Sequence, residues 1–363
     1  MEQYNTELTV GMDLGNKKNE IYIMNSINGN PVETGSVLND RVSIGNYFQR
    51  FIEPKKVRVV IEAGTHSPWI YHLLKDMGFE ILVGNPRKLR MIWMSDNKND
   101  QKDAEMLARI GRFDTRLLHP IQHRDMEAHK DLNIIKCRDA LVSCRTNLVN
   151  TIRGLLKSQG IAVPSSSTDA FAKKIVSILP SELKPIFNGL IKTIEELTLK
   201  IKKFDKLITK VCEKKYPEAT HLQQIKGVGP ITSLTFILTL ERHNRFKKSR
   251  DVGPFLGLVP KRDQSGNTDK QLSITKSGNS YLRSTLVSAA HYILGPFGED
   301  CDLRRCGLQI AARGGKIAKR KAVVAVARKL AVLMHSLWKS GETYEPLRKS
   351  KNSRKNKQLN KAA

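Results

Sequence analysis

No stretch of this chain approaches the roughly 20 consecutive apolar residues that a membrane-spanning helix needs, so no membrane-spanning helix is expected. The first residues, Met1-Glu-Gln-Tyr-Asn-Thr-Glu7, lack the basic and apolar regions of a secretory signal. Cysteines are few and odd in number (Cys137, Cys144, Cys212, Cys301, Cys306), and no CxxC pair occurs. Cys301 and Cys306 are the one close pair, with no second pair to complete a zinc site. Reduced thiols and a cytoplasmic location are therefore expected. Acidic residues are also scarce: 35 Asp plus Glu stand against 62 Lys plus Arg, a net charge of +27 over 363 residues. So large an excess calls for a polyanionic partner, and nucleic acid, bound through displaced counterions, fits better than a membrane surface. The 40% hydrophobic content is enough for real cores, and the length suggests two or three domains.

The chain changes character along its length. Up to about residue 124, strand-like and helix-like segments alternate. Leu8–Met12 and Glu20–Met24, around Gly15-Asn16, read as a hairpin; Val57–Ile61 reads as a buried strand; Pro68–Met77 reads as a helix ended by Gly78; Phe79–Val83 is a further short strand. Ser95–Asn99 reads as a loop before a helix that opens at Asp100. This is an α/β pattern. Across 125–216 two heptad seams appear. Ile134, Leu141, Leu148 and Leu155 recur every seven residues with Cys137 and Cys144 interleaved, and Ile194, Leu197, Ile201, Phe204, Ile208 and Val211 step by three and four. Gly160–Thr168 separates them, so two long helices forming a coiled-coil arm, within one chain or between chains, are expected. Residues 217–345 form a third, mostly helical region. The tail 346–363 carries a run of Lys and Arg with no acid and reads as disordered.

Four carboxylates in the first third carry the chemistry. Asp13 ends the run Leu8-Thr-Val-Gly-Met12, and Glu62 ends Val57-Arg-Val-Val-Ile61. Asp100 and Asp103 are three apart and share one face of a helix. Acids at strand ends facing an acidic pair on a helix suit a hard divalent cation such as Mg²⁺, which can serve phosphodiester chemistry. A single strand-terminal carboxylate is commonly structural; four in this arrangement favour metal binding. His66 lies close after Glu62 and reads as a satisfied polar residue.

In the last third, Lys226-Gly227-Val-Gly229-Pro230 sits between two apolar helical stretches, the pattern of a helix-hairpin-helix. Its glycines leave backbone N–H groups open for phosphate oxygens, although a plain packing turn has the same text. The helix from about Lys316 to Trp338 carries Lys319, Arg320, Lys321, Arg328 and Lys329. Its basic face reads either as lying on nucleic acid or as solvated. The most distinctive text is Phe255-Leu-Gly-Leu-Val-Pro260, Gln264-Ser265-Gly266 and Ile274-Thr-Lys276-Ser-Gly278-Asn279-Ser-Tyr-Leu282-Arg283.

Together with the four acids, this text resembles the DEDD-type insertion-sequence transposases, also described as bridge-RNA-guided recombinases, from about residue 8 to about residue 340. The resemblance implies an RNase H-like (RuvC-like) N-terminal domain over 1–124, a coiled-coil arm over 125–216 and a C-terminal transposase domain over 217–345. It implies that Asp13, Glu62, Asp100 and Asp103 hold Mg²⁺ and that Ser265 is the nucleophile, with Ser273 and Ser277 as lesser candidates. It further implies donor and target DNA as partners, an element-encoded RNA as guide, a dimer or tetramer, and an active site composed from two subunits. Ser265 has no His nearby in sequence, so the metal site is the expected source of its activation. Lys276 and Arg283 read as phosphate clamps, and Lys226, Gly227 and Gly229 as backbone contacts. A junction-resolving nuclease that uses water, and a non-catalytic scaffold, are the competing functions. Loss of strand exchange in Ser265→Ala separates the first from a recombinase, and indifference to Asp13→Ala or Asp100→Ala would mark the second.

Overall fold

The computed structural model describes residues 6–89, 99–265 and 268–348. Most of the 95–99 loop, Gly266, Asn267 and the tail from 349 onward lie outside the described residues. The chain divides into two compact units, residues 1–126 and 127–363. Among the described residues, no helix is long and apolar enough to cross a membrane.

The first unit is a five-stranded mixed sheet with helices. Its strands are β1 (Leu8–Leu14), β2 (Lys18–Asn25), β3 (Pro31–Leu38), β4 (Val57–Glu62) and β5 (Glu80–Gly84), in the order β3-β2-β1-β4-β5. β1 pairs antiparallel with β2 and parallel with β4, and β4 pairs parallel with β5. The predicted hairpin, buried strand and following strand are all present. β3 and the helix α1 (Arg41–Gln49) escape sequence reading, because β3 is an edge strand whose Pro31, Glu33 and Gly35 break up any apolar alternation.

Both faces of the inner strands are covered, as parallel strands require. Val10, Met12, Val59 and Ile61 point to one side and pack with Ile44 and Phe48 of α1 and with Ile70 and Leu74 of α2 (Ser67–Asp76). The opposite side carries α3 (Asp100–Phe113). Ala104, Leu107, Ala108 and Gly111 form its buried stripe at i, i+3, i+4 and i+7. Leu107 joins Val60, and Ala104 and Ala108 join Tyr22 and Met24. The approach is close at both ends of the stripe. A Cβ on Gly11 would lie 1.9 Å from the Ala104 carbonyl oxygen, and one on Gly111 would lie 2.4 Å from Val60 Cγ2. The start of α3 is thereby set over the C-terminal part of β1.

The second unit is mostly helical. α4 (Met126–Ser158), α5 (Thr168–Ile178) and α6 (Lys184–Lys215) share a cluster in which Val149, Ile152 and Leu156 meet Phe171, Ile175, Phe187, Ile191 and Ile194. On α6 the expected seam is largely the buried one: Ile194, Ile201, Ile208 and Val211 are buried. On α4 it is not. Leu132, Ile135, Arg145, Val149, Ile152 and Leu156 are buried, whereas Cys137, Cys144 and Leu155 are exposed. Two stripes on this helix are partly apolar, and the face turned to α5 and α6 carries Arg145, whose polarity hides that face from a hydrophobic-pattern reading. Arg145 is buried and donates through Nη1 to Asp169 and to Thr198 Oγ1.

A second, larger core begins with Leu132, Ile135, Ile208 and Val211 and continues through α7 (Pro217–Leu222), α8 (Pro230–Leu240), the single turn Val252–Phe255, α9 (Ser280–Leu294), α10 (Asp302–Ala311) and α11 (Gly315–Ser340). Between the turn and α9 a two-stranded ribbon, β6 (Pro260–Ser265) with β7 (Thr268–Ile274), stands in solvent. His335, fully buried in α11, turns Nδ1 to Ser249 Oγ at 2.9 Å and Nε2 to the His243 carbonyl at 2.9 Å.

Candidate active site

Strand alternation puts Asp13, two residues after Gly11, on the face covered by α3. The α3 N-terminus is capped by Asn99, whose Oδ1 accepts from the Gln101 N–H at 3.1 Å, and Asp100 and Asp103 fall in the first turn. Carboxylates there are favoured by the helix dipole, which offsets part of their mutual repulsion. Packing of α3 over Gly11 brings the two parts together. One carboxylate oxygen each from Asp13, Asp100 and Asp103 lie within 4.8 Å of one another. Three all-oxygen donors at that spacing match a hard divalent cation such as Mg²⁺ or Mn²⁺ and offer no soft ligand for zinc or copper.

Glu62 is not a member of this group of three. The β1–β4 pairing ends with Met12 beside Ile61, and one residue further come Asp13 and Glu62. Glu62 shares the α3 face with Val60 and is half-buried at the strand end. His66 is satisfied locally: Trp69 Nε1 donates to its Nδ1 at 3.5 Å, which leaves Nε2 to donate to Asn16 Oδ1 at 3.4 Å. Sequence reading did not single out Lys18. Its ammonium pairs with Glu20 at 2.6 Å, and that carboxylate, with a smaller contribution from Asp100, pushes its pKa above the usual range. The alternation of Lys18 and Glu20 on one strand was the available signal.

In the second unit Ser265 is the last residue of β6, exposed and paired across the ribbon with Thr268. Asp263, paired with Lys270, shares its face by alternation, while Arg262 binds Asp269 through two hydrogen bonds at 2.8 and 2.6 Å. Ser273 is exposed on β7. Ser277 donates to the Pro254 carbonyl at 3.3 Å and so serves the loop. Lys276 takes a left-handed φ of 55°, and its N–H reaches the Gly257 carbonyl at 3.2 Å. Arg283 Nη1 donates to the carbonyls of Leu256 at 3.1 Å and Ser277 at 2.7 Å, holding this loop against α9.

The Lys226–Pro230 segment forms the turn between α7 and α8, with Gly227 at φ 94° and Gly229 as the N-cap of α8. Lys226 is exposed, 3.4 Å from Glu299. Gly227, Val228 and Gly229 edge an open groove of about 670 Å³ whose other wall includes Ser284, Thr285 and Ser288.

Two family models match the chain. A DEDD-type transposase model of the IS110 elements matches residues 10–160, the acidic cluster included, and one described as "Transposase IS116/IS110/IS902 family" matches residues 219–296, with the helical turn and the ribbon. The transposase for insertion sequence element IS1111A of Coxiella burnetii is 30% identical over 316 residues, covering 84% of each chain. The transposase for insertion sequence element IS1328 of Yersinia enterocolitica is 25% identical over 293 residues, covering 77% of this chain and 82% of its own. An acidic cluster fit for a divalent cation and two matches in one order along the chain agree with this similarity over most of the chain: the chain belongs to the IS110/IS116 family of DEDD transposases, enzymes that recombine DNA.

Proposed function

We propose that this transposase excises and inserts its element through a covalent phosphoserine intermediate formed at Ser265, in an active site that also needs the acidic group of the first unit. The observation that carries this reading is the meeting of Asp13, Asp100 and Asp103 within 4.8 Å, in a chain of this family. The strand order β3-β2-β1-β4-β5, with β2 alone antiparallel to both neighbours, supports an RNase H-like assignment for residues 1–124. Asp13, Asp100 and Asp103, with Glu62 at the adjoining strand end, would hold Mg²⁺. A bound Mg²⁺ would neutralise a phosphodiester and lower the pKa of a nearby hydroxyl. Ser265 would attack the scissile phosphorus through Oγ, forming a phosphoserine and releasing a free hydroxyl on the other strand end. The bond energy is kept, so strands can be rejoined without ATP. Exposure of Ser265 at the end of a solvent-standing ribbon supports its access to a substrate. Lys276 and Arg283 would shape the loop beside the ribbon and contribute positive charge, and Lys226, Gly227 and Gly229 would take backbone phosphates.

In the same reading, residues 125–216 are an arm that joins copies of the chain into a dimer or tetramer, 217–345 are the transposase domain, and 346–363 a basic tail. An element-encoded RNA would supply sequence specificity by base pairing, leaving the protein to read backbone and shape. The net charge of +27 is in keeping with two nucleic-acid partners.

Trapping tests the core of this proposal. Protein, DNA carrying the element's ends, the candidate RNA and Mg²⁺ are mixed and denatured, and DNA-linked protein is digested. The expected modified peptide contains Ser265. Cleaved DNA with no protein attached, unchanged in Ser265→Ala, would instead identify a junction-resolving nuclease with water as its nucleophile.

A further inference from the structure

We propose that the exposed basic surface at the start of α11, formed by Lys316, Lys319, Arg320 and Lys321 with Arg313 just before it, docks on the phosphate backbone of duplex DNA. It rests on the DNA-recombination reading and adds to it a surface made of residues other than those of the acidic group, the ribbon and the α7–α8 turn.

From Leu303 to Gly341 the chain carries ten Lys or Arg and no Asp or Glu. Some of these cations have structural work. Arg304 donates to the Ile293 and Gly295 carbonyls, and Arg305 pairs with Asp300. The five named above do not. All are exposed, and none pairs with a described residue. Lys316, Lys319 and Arg320 stand at i, i+3 and i+4 and so share one face. Ala318 and Ala322 alone seat this part of the helix on the core, while Ile317, 70% exposed, stands among the cations.

A merely solvated helix face looks different in this same protein. α6 has many exposed lysines, but Glu195, Glu196, Asp205 and Glu213 are interspersed with them. The start of α11 also runs against local preference: its first turn has no acidic residue and no side-chain cap, and it puts Lys316 where the helix dipole disfavours a cation. Such a departure, repeated over four cations in six residues, costs the free protein stability and is relieved by a polyanion. Residues 316–321 extend about 9 Å along the helix, and a helix of about 10–12 Å diameter matches the width of the B-form major groove. The deep, narrow major groove of A-form RNA does not admit it. Duplex DNA is therefore the favoured partner.

The test uses the full chain with Lys316, Lys319, Arg320 and Lys321 all changed to Gln, which keeps helix propensity, and a second variant with the three lysines changed to Arg. Binding of a short random-sequence DNA duplex is followed by fluorescence anisotropy over a salt series, in EDTA so that no strand is cut. Each phosphate that is no longer neutralised flattens the slope of log affinity against log salt by about 0.9. The Gln variant should lose about 2–4 from that slope and at least about tenfold in affinity near 0.1 M salt, while the Arg variant binds like the parent. An unchanged slope and affinity in the Gln variant would overturn the proposal alone, leaving the recombinase intact. Equal or greater loss on an RNA duplex of the same length would overturn it in favour of RNA docking. A parent chain that binds no DNA at all would overturn both this proposal and the reading beneath it.

Discussion

Gly11 on β1 and Ala104 on α3 touch backbone to backbone: the Ala104 carbonyl oxygen lies 1.9 Å from the point a Gly11 Cβ would occupy. Only a residue without a side chain permits the approach, and the approach is what carries Asp100 and Asp103 to Asp13. Gly11→Ala must push α3 off the sheet. We expect a stability loss of about 1–3 kcal/mol or more from overpacking and a fall in DNA strand cleavage larger than the fraction unfolded explains. Urea unfolding and a cleavage assay on the same preparation check it. Cleavage at the parental rate would show that the acidic group tolerates a displaced helix.

Removing single carboxylates tests the cation assignment directly. Asp13→Asn and Asp100→Asn should each weaken Mg²⁺ or Mn²⁺ binding, read by titration calorimetry, and reduce strand cleavage by at least about a hundredfold, the scale on which removal of a transition-state stabiliser acts. Asp100 is exposed, so its change should leave the melting temperature nearly unaltered. Glu62→Gln is expected to have the smaller effect on binding, because Glu62 lies outside the group of three.

Arg145 puts a charge inside the arm, with Asp169 and Thr198 as partners. Asp169→Ala leaves that guanidinium buried with one neutral partner. A loss of about 1–3 kcal/mol is expected from the unpaired group, at the lower end because Asp169 itself is half in solvent. Arg145→Met, which removes the charge as well, should be better tolerated than Asp169→Ala. Chemical denaturation of both variants gives the comparison.

His335 should make the second unit acid-sensitive. Burial holds its pKa below the usual histidine value, with Nε2–H donating to the His243 carbonyl and Nδ1 against the Ser249 hydroxyl. A base whose folded pKa is depressed binds protons more readily when unfolded. Its contribution is therefore intact above the unfolded value, near 6.5, and is lost as pH falls below it. His335→Gln should flatten the decline in stability between about pH 6.5 and 5, at the cost of a lower plateau near neutrality. Melting curves across that range decide it.

Asp13, Glu62, Asp100 and Asp103 were legible as candidates because each sits at the end of an apolar strand or in the first turn of a capped helix, and local pattern marks such places. The β1–β2 hairpin, β4 and α2 were legible for the same reason. The tail charge and the excess of cations needed only composition. Tertiary structure decided what lay beyond local reach. It brought Asp13 to Asp100 and Asp103 across some 90 residues of chain, through a close approach that Gly11 and Gly111 merely allow. It selected which stripe of α4 is buried, because Leu141 and Val149 are equally apolar in sequence and only the neighbouring α5 and α6 distinguish them. It also set Arg283 Nη1 against the carbonyls of Leu256 and Ser277, a loop contact that its sequence context does not encode. Sequence sets the inventory of groups and their periodicity. Which of them meet depends on backbone approach between elements, and no single element encodes that.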